Sequence, residues 1–152
     1  MAAPARSSVA SRMEKDNGVA IIEFALVLPI LLLVIVGIFD FGFAFREYLV
    51  ATDAAREGAR MAVLPGYSDD DIRARVMAYL TTAGGIQPAK IQNVDISTTT
   101  AETDGGSTLT LRTVNATVLH TFSLIAPFGG SYGTVALKAA AIMRVEVAAE
   151  AP

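Results

Sequence analysis

The sequence predicts an α+β chain in which a long N-terminal transmembrane helix is followed by a short helix and a small antiparallel β-sheet. Three observations predict it. Residues Val19 to Phe39 are apolar except for Glu23. Ser68-Asp69-Asp70-Asp71 is a helix-start signal set ahead of an apolar stripe. Beyond Pro88, runs rich in Val, Thr, Ile and Leu are separated by Gly- and Pro-containing turns. With 152 residues there is room for one domain plus one membrane span. The expected division is a cytoplasmic leader over 1–18, a transmembrane helix continuing into the soluble part over 19–63, and a soluble α+β domain over 64–152.

Hydrophobic residues make up 53% of the chain, above the roughly 45–50% usual for soluble domains, and the excess is concentrated near the N-terminus. The net charge is −3 with no Lys/Arg-rich run, so the basic footprint of a nucleic-acid binder is missing and no nucleic-acid partner is expected. There is no cysteine, which excludes disulfides, thiolate metal sites and cysteine nucleophiles. An exported domain of this composition must hold together by packing.

The apolar run of 21 residues from Val19 to Phe39 would extend about 32 Å as a helix, enough to cross a bilayer. A cleavable secretory signal has a shorter apolar core followed by small residues. A chain of this size can hardly surround a helix that is hydrophobic on every side. The preceding segment, Met1 to Gly18, is polar, with Arg6, Arg12 and Lys15 against Glu14 and Asp16, and is expected to lack regular structure. Arg46 and Arg56 follow the span, leaving the charge rule with a slight preference for a cytoplasmic N-terminus.

Glu23 places a carboxylate in the hydrocarbon, where it costs roughly 2–4 kcal/mol. One reading is that it lies near the helix end and reaches the headgroups or is neutralised there. The other uses Gly18: a cut after it would leave the new amino group on Val19, one helical turn from Glu23 and on the same face. Ammonium and carboxylate would then offset each other, within one chain or between neighbours. Pro29 removes one backbone hydrogen bond inside the span, which produces a kink with a role or is simply accommodated by the surroundings. Phe39, Phe41, Phe43 and Phe45 cluster where the span ends, as an interfacial anchor or as packing against the soluble domain. No strong breaker follows until Pro65, so the helix is expected to continue. Ala51, Ala55 and Ala59 form one row of small side chains and Ala54, Gly58 and Ala62 another. Such a face permits close approach of a neighbouring helix or of the chain's own sheet; the sheet is favoured for this half and subunit contacts for the membrane half. Asp53, Arg56, Glu57 and Arg60 read as solvated helix pairs rather than catalytic groups.

The segment Gly18-Val19-Ala20-Ile21-Ile22-Glu23-Phe24 resembles the processing site of type IV prepilins, where a membrane peptidase cuts after the glycine and a glutamate stands fifth in the mature chain. The longer pattern of Glu23-Phe24-Ala25-Leu26, Pro29, Gly37, Asp40-Phe41-Gly42 and Ala54-Ala55-Arg56-Glu57-Gly58-Ala59-Arg60 resembles the TadE-like family of minor pilins, or pseudopilins, of tight-adherence (Tad/Flp) pilus systems. It covers about Asn17 to Val63, under a third of the chain. The resemblance implies processing between Gly18 and Val19 and assembly and charge pairing through Glu23 and Phe24, while the spacing of small residues assigns helix packing to Ala51, Ala55, Gly58 and Ala59. It also implies a prepilin-type peptidase, other pilin-like subunits and Tad assembly proteins as partners. The location implied is the bacterial inner membrane, crossed once with the C-terminal domain outside the cytoplasm.

Leu64-Pro65-Gly66 ends the long helix. Ser68 then caps a short one, with Ile72, Val76, Met77 and Leu80 as its apolar stripe and Gly84-Gly85 as its end. The three aspartates are accounted for by their place at a helix start, and no calcium-loop spacing surrounds them. Strands are expected over Lys90 to Ser97, Thr108 to Leu124 and Thr134 to Val147, with turns at Asp104-Gly105-Gly106 and around Pro127 and Gly129-Gly130. Val135, Leu137, Ala139, Ala141, Met143, Val145 and Val147 alternate onto one face, which should pack on the long helix. His120, the single histidine, lies inside a strand with no metal-ligand partners and reads as structural. Asn115-Ala116-Thr117 matches a glycosylation acceptor by chance. No phosphate loop, dinucleotide fingerprint or serine elbow is present, so neither an enzyme nor a cofactor is expected.

Two functions follow. The first is a pilin-like, membrane-anchored structural subunit that helps assemble a Tad-type filament. The second is a permanently anchored envelope protein whose exported domain is a binding module, with any adhesive specificity on loops such as Thr98 to Ser107.

Overall fold

A computed structural model describes residues 7–102, 108–122 and 133–145, with side chains described from Gly18 onward. Helix α1 runs from Ser7 to Ala62 without interruption and carries Pro29 inside it. The helix therefore begins well before the apolar run, and residues 7–17, expected to lack regular structure, are helical. No Gly or Pro separates Ser7 from Asn17, and once the span is helical each further residue adds a hydrogen bond without a new nucleation cost. After Pro65 and Gly66 comes α2, Asp69–Ala78, opened by a capping box in which Ser68 and Asp71 bond reciprocally. The exposed Asp71 carboxyl is held below its usual pKa by hydrogen bonds from the Ser68 hydroxyl and backbone. The helix closes through a wider turn, Tyr79–Ala83, with Gly84 N–H donating to the Tyr79 carbonyl at 2.9 Å. Gly85 takes the positive φ of 65° that stops it.

A short turn at Pro88–Lys90 leads into β1 (Ile91–Glu102), β2 (Thr108–Thr121) and β3 (Thr134–Val145). They form an antiparallel meander in the order β1-β2-β3, with one irregularity between Ile91 and Asn93. β1 is longer than the alternation predicts: Ser97 to Glu102, assigned in part to a loop, pairs with Thr108 to Thr113. Its threonine run favours extended backbone, and pairing supplies the missing ladder. β2 stops at Thr121, short of Leu124. The turns expected at 104–106 and 127–130, and Val147, lie outside the described residues.

The inner face of the sheet meets α1 across β2 and β3, while α2 covers β1. Val114, Ala116, Val118, Ala139 and Ala141 pack against Ala51, Ala54, Ala55 and Ala59, with Ile72, Val76, Leu80 and Ile86 closing the core. Alanine on both surfaces lets helix and sheet approach closely, and dispersion contacts then offset the small area each side chain buries. Gly58 marks the tightest point, where an added Cβ would lie 2.5 Å from Val76 Cγ2 and 3.1 Å from Val114 Cγ1. Gly84 is similar, since a Cβ there would meet Val50 Cγ1 at 2.2 Å and the Leu80 carbonyl oxygen at 2.7 Å. The core thus occupies only the C-terminal third of α1.

Candidate functional site

The buried stripe of α1 begins abruptly at Asp40. From Val19 to Phe39 the large apolar side chains are exposed, with Ile21, Leu26 and Ile30 at 68%, 72% and 67%, except Leu28 and Val36, which are half-buried. From Asp40 onward, Ala44, Glu47, Ala51, Ala54 and Ala55 are buried. One continuous helix is therefore bare over its first part and covered on one face over its last. No part of its most apolar window is buried, and it is the one described helix long and apolar enough to cross a membrane. Bare apolar surface of this extent has a large cost in water and none in lipid or against other apolar helices.

Gly18, Val19, Glu23 and Phe24 lie on this bare part. Gly18 is inside the helix, and a Cβ added there meets nothing within 4 Å. Val19 and Phe24 are 62% and 60% exposed, and Glu23 is exposed as well. Val19 and Glu23 stand four residues apart, a rise of about 6 Å along one helix face. Both small-residue rows lie elsewhere: Ala51, Ala55 and Ala59 and their neighbours Ala54, Gly58 and Ala62 are covered by the chain's own sheet and α2. In this chain their close approach is intramolecular.

The structure joins the bare and covered parts through a polar cluster that the sequence reading did not assemble. Glu47 is buried, and its Oε2 lies 2.8 Å from His120 Nδ1 while its Oε1 accepts from Lys90 Nζ at 2.7 Å. Burial acts to raise the Glu47 pKa, but hydrogen bonds and charge from Lys90 and His120 outweigh it and hold the carboxyl below its usual value. One carboxylate so ties α1 to β2 and to the turn before β1. The His120 ring meets Phe122 edge-on at a centroid distance of 5.0 Å, and Phe122 in turn tilts against Phe41 at 5.6 Å. His120 is structural in this setting, as its lack of metal-ligand partners implies. Arg46, beside Glu47, donates to the Gly84 carbonyl at 3.0 Å and fastens the end of α2 to the same region.

Phe39, Phe43 and Phe45 remain exposed, and Phe41 meets Phe122, just past the end of β2, while staying 66% exposed. They ring the level at which the bare helix becomes the covered one. Of the charges further along α1, Arg56 pairs locally with Asp53 at 3.2 Å, while Glu57 reaches across to Arg75 of α2 at 2.9 Å. The aspartates of α2 are similarly occupied, Asp70 by Arg73, Asp69 by Arg112 and Asp71 by Ser68. Among the described residues, no group of three or more potential metal ligands occurs.

No curated protein and no solved structure matches the chain. Residues 18–60, from Gly18 through the bare apolar part to the covered rows of small residues, match the model of the family described as TadE-like protein.

Proposed function

We propose that the chain is a pilin-like subunit of a Tad-type pilus system, held in the bacterial inner membrane by α1 with its sheet domain outside the cytoplasm. A prepilin-type peptidase acts between Gly18 and Val19. The observation that carries this reading is the asymmetry of α1: a helix apolar and exposed over Val19–Phe39, interrupted by one carboxylate a single turn after the Gly18–Val19 bond, and fixed at its far end to a small sheet domain. Such a helix has two suitable environments, a bilayer and a bundle of like helices, and a subunit that moves from the first to the second needs an apolar surface for both. Glu23 and the freed Val19 amine would then offset each other among packed helices.

The N-terminal residue and mass of the protein purified from its native membrane test this directly. A chain beginning at Val19 is expected. Gly18→Ala should retain the leader and lose assembly while the domain stays folded, because the added methyl meets no neighbour. A native chain that keeps its leader in piliated cells would replace this reading with that of a permanent anchor carrying a binding module.

A further inference from the structure

The sheet ends in two free edges of opposite charge. Among the described residues, β1 and β3 each pair only with β2, leaving their outer backbone groups open to another strand. The charged residues of β1 are Asp95 and Glu102, and those of β3 are Lys138 and Arg144; all four are exposed. Near the start of β1 the Val94 carbonyl accepts from Arg73 Nε at 3.4 Å, so the open stretch of that edge lies beyond it. The β3 edge borders a groove of about 560 Å³, whose other wall includes Thr52, Asp53, Arg56 and Arg60 of α1.

We propose that copies of this chain join side by side through these edges, β3 of one copy pairing with β1 of the next in a parallel ladder. The membrane sets the direction. β1 and β3 are both antiparallel to β2 and so run the same way. Copies anchored in one bilayer with a common orientation differ by rotation about the membrane normal and translation within the plane, which preserves the direction of strands that rise along that normal. A β3–β1 contact between such copies is parallel, and it needs no crossover connection because the strands belong to different chains. The register follows from charge. Setting Lys138 beside Asp95 of the next copy puts these opposite charges on one outward face, whereas Arg144 and Glu102, six and seven residues further on, fall on opposite faces and leave Lys138–Asp95 as the pair that sets the register. Like charges directly opposed would be repelled, so the same edges disfavour β3–β3 and β1–β1 contacts. The joint is head-to-tail and leaves a free edge at each end, so it extends rather than closes. The proposal rests on the membrane-anchored reading of α1, and not on leader processing.

The absence of cysteine makes disulfide mapping in intact membranes straightforward. In the proposed register Ser97 of one copy lies beside Ala140 of the next. Within one copy β2 separates their strands by about 10 Å, too far for a disulfide. Differently tagged full-length Ser97→Cys and Ala140→Cys chains, co-expressed and mildly oxidised, should form a mixed-tag dimer. The doubly substituted chain should form a ladder of multiples. Lys138→Glu should reduce the yield several-fold, and Asp95→Lys in the partner copy should restore it. No mixed dimer, a yield indifferent to Lys138→Glu, or self-pairing of Ala140→Cys as efficient as mixed pairing would each overturn the proposal. Carbonate extraction of the same membranes separates the causes: chains that resist extraction yet do not cross-link refute the strand joint alone, whereas chains that wash off refute the anchor as well.

Discussion

Replacing Glu47 with alanine is expected to cost the folded chain about 3 kcal/mol. The reason is what remains. Glu47 receives hydrogen bonds at 2.8 Å from His120 and at 2.7 Å from Lys90, and the side chains of Glu47 and His120 are only 10% and 5% exposed. Removing the carboxylate leaves His120 Nδ1 without its acceptor in a buried position, and His120 Nε2 already has no hydrogen-bond partner among the described residues. Lys90, 38% exposed, turns to water, so most of the loss falls on the histidine. Glu47→Gln keeps the volume and one acceptor and should lose less. Denaturant unfolding of the full chain in detergent, followed through the sheet signal, reads the difference, and an Ala variant as stable as the parent would remove the cluster's structural role.

The same cluster has a pH signature. Because the folded chain holds the Glu47 pKa below its ordinary value of 4.5, the unfolded chain binds the proton more readily. The contribution of Glu47 is therefore complete above about pH 4.5 and is lost as pH falls through the folded-state value. The stability gap between the parent and Glu47→Ala should narrow as pH falls below about 4.5. A gap unchanged down to pH 3 would assign the effect to packing rather than to the ionised carboxylate.

The fold was readable where pattern repeats locally. The apolar run gave the bare part of α1, the Ser68-Asp71 spacing gave the cap of α2, and alternation from Leu137 to Met143 gave the inner face of β3. The Glu47 cluster was harder because its partners are separated by 43 and 73 residues, and Glu47 between Arg46 and Tyr48 resembles any solvated helix charge. One signal was present. Asp40, Ala44, Glu47, Ala51 and Ala55 follow at intervals of four, three, four and four, continuing the small-residue row backward along the face that the sheet covers. His120 likewise continues the inward sequence Val114, Ala116, Val118 on β2. Read together, the two stripes place a carboxylate opposite a histidine. The helix over residues 7–17 was missed for a different reason: its polar residues give no apolar period, and its helicity comes by extension from the apolar run that follows.

Glu23→Gln is expected to separate anchoring from assembly, leaving the first intact and weakening the second. In a bilayer the carboxylate is a cost of roughly 2–4 kcal/mol, so an amide of the same shape should hold the chain in the membrane at least as firmly as the native residue. Among packed helices the proposed partner is the Val19 amine, and losing a desolvated charge pair of about 2 kcal/mol lowers association about 30-fold. Glu23→Asp keeps the charge on a shorter side chain and should retain much of the assembly. The two readouts are the chain retained after carbonate extraction and the chain recovered in sheared surface filaments. Retention unchanged with filament yield sharply reduced in Gln, and partly kept in Asp, supports pairing. Normal filament yield in Glu23→Gln would mean that the carboxylate is tolerated near the helix end without a partner, and the amine at Val19 would then have no role in holding subunits together.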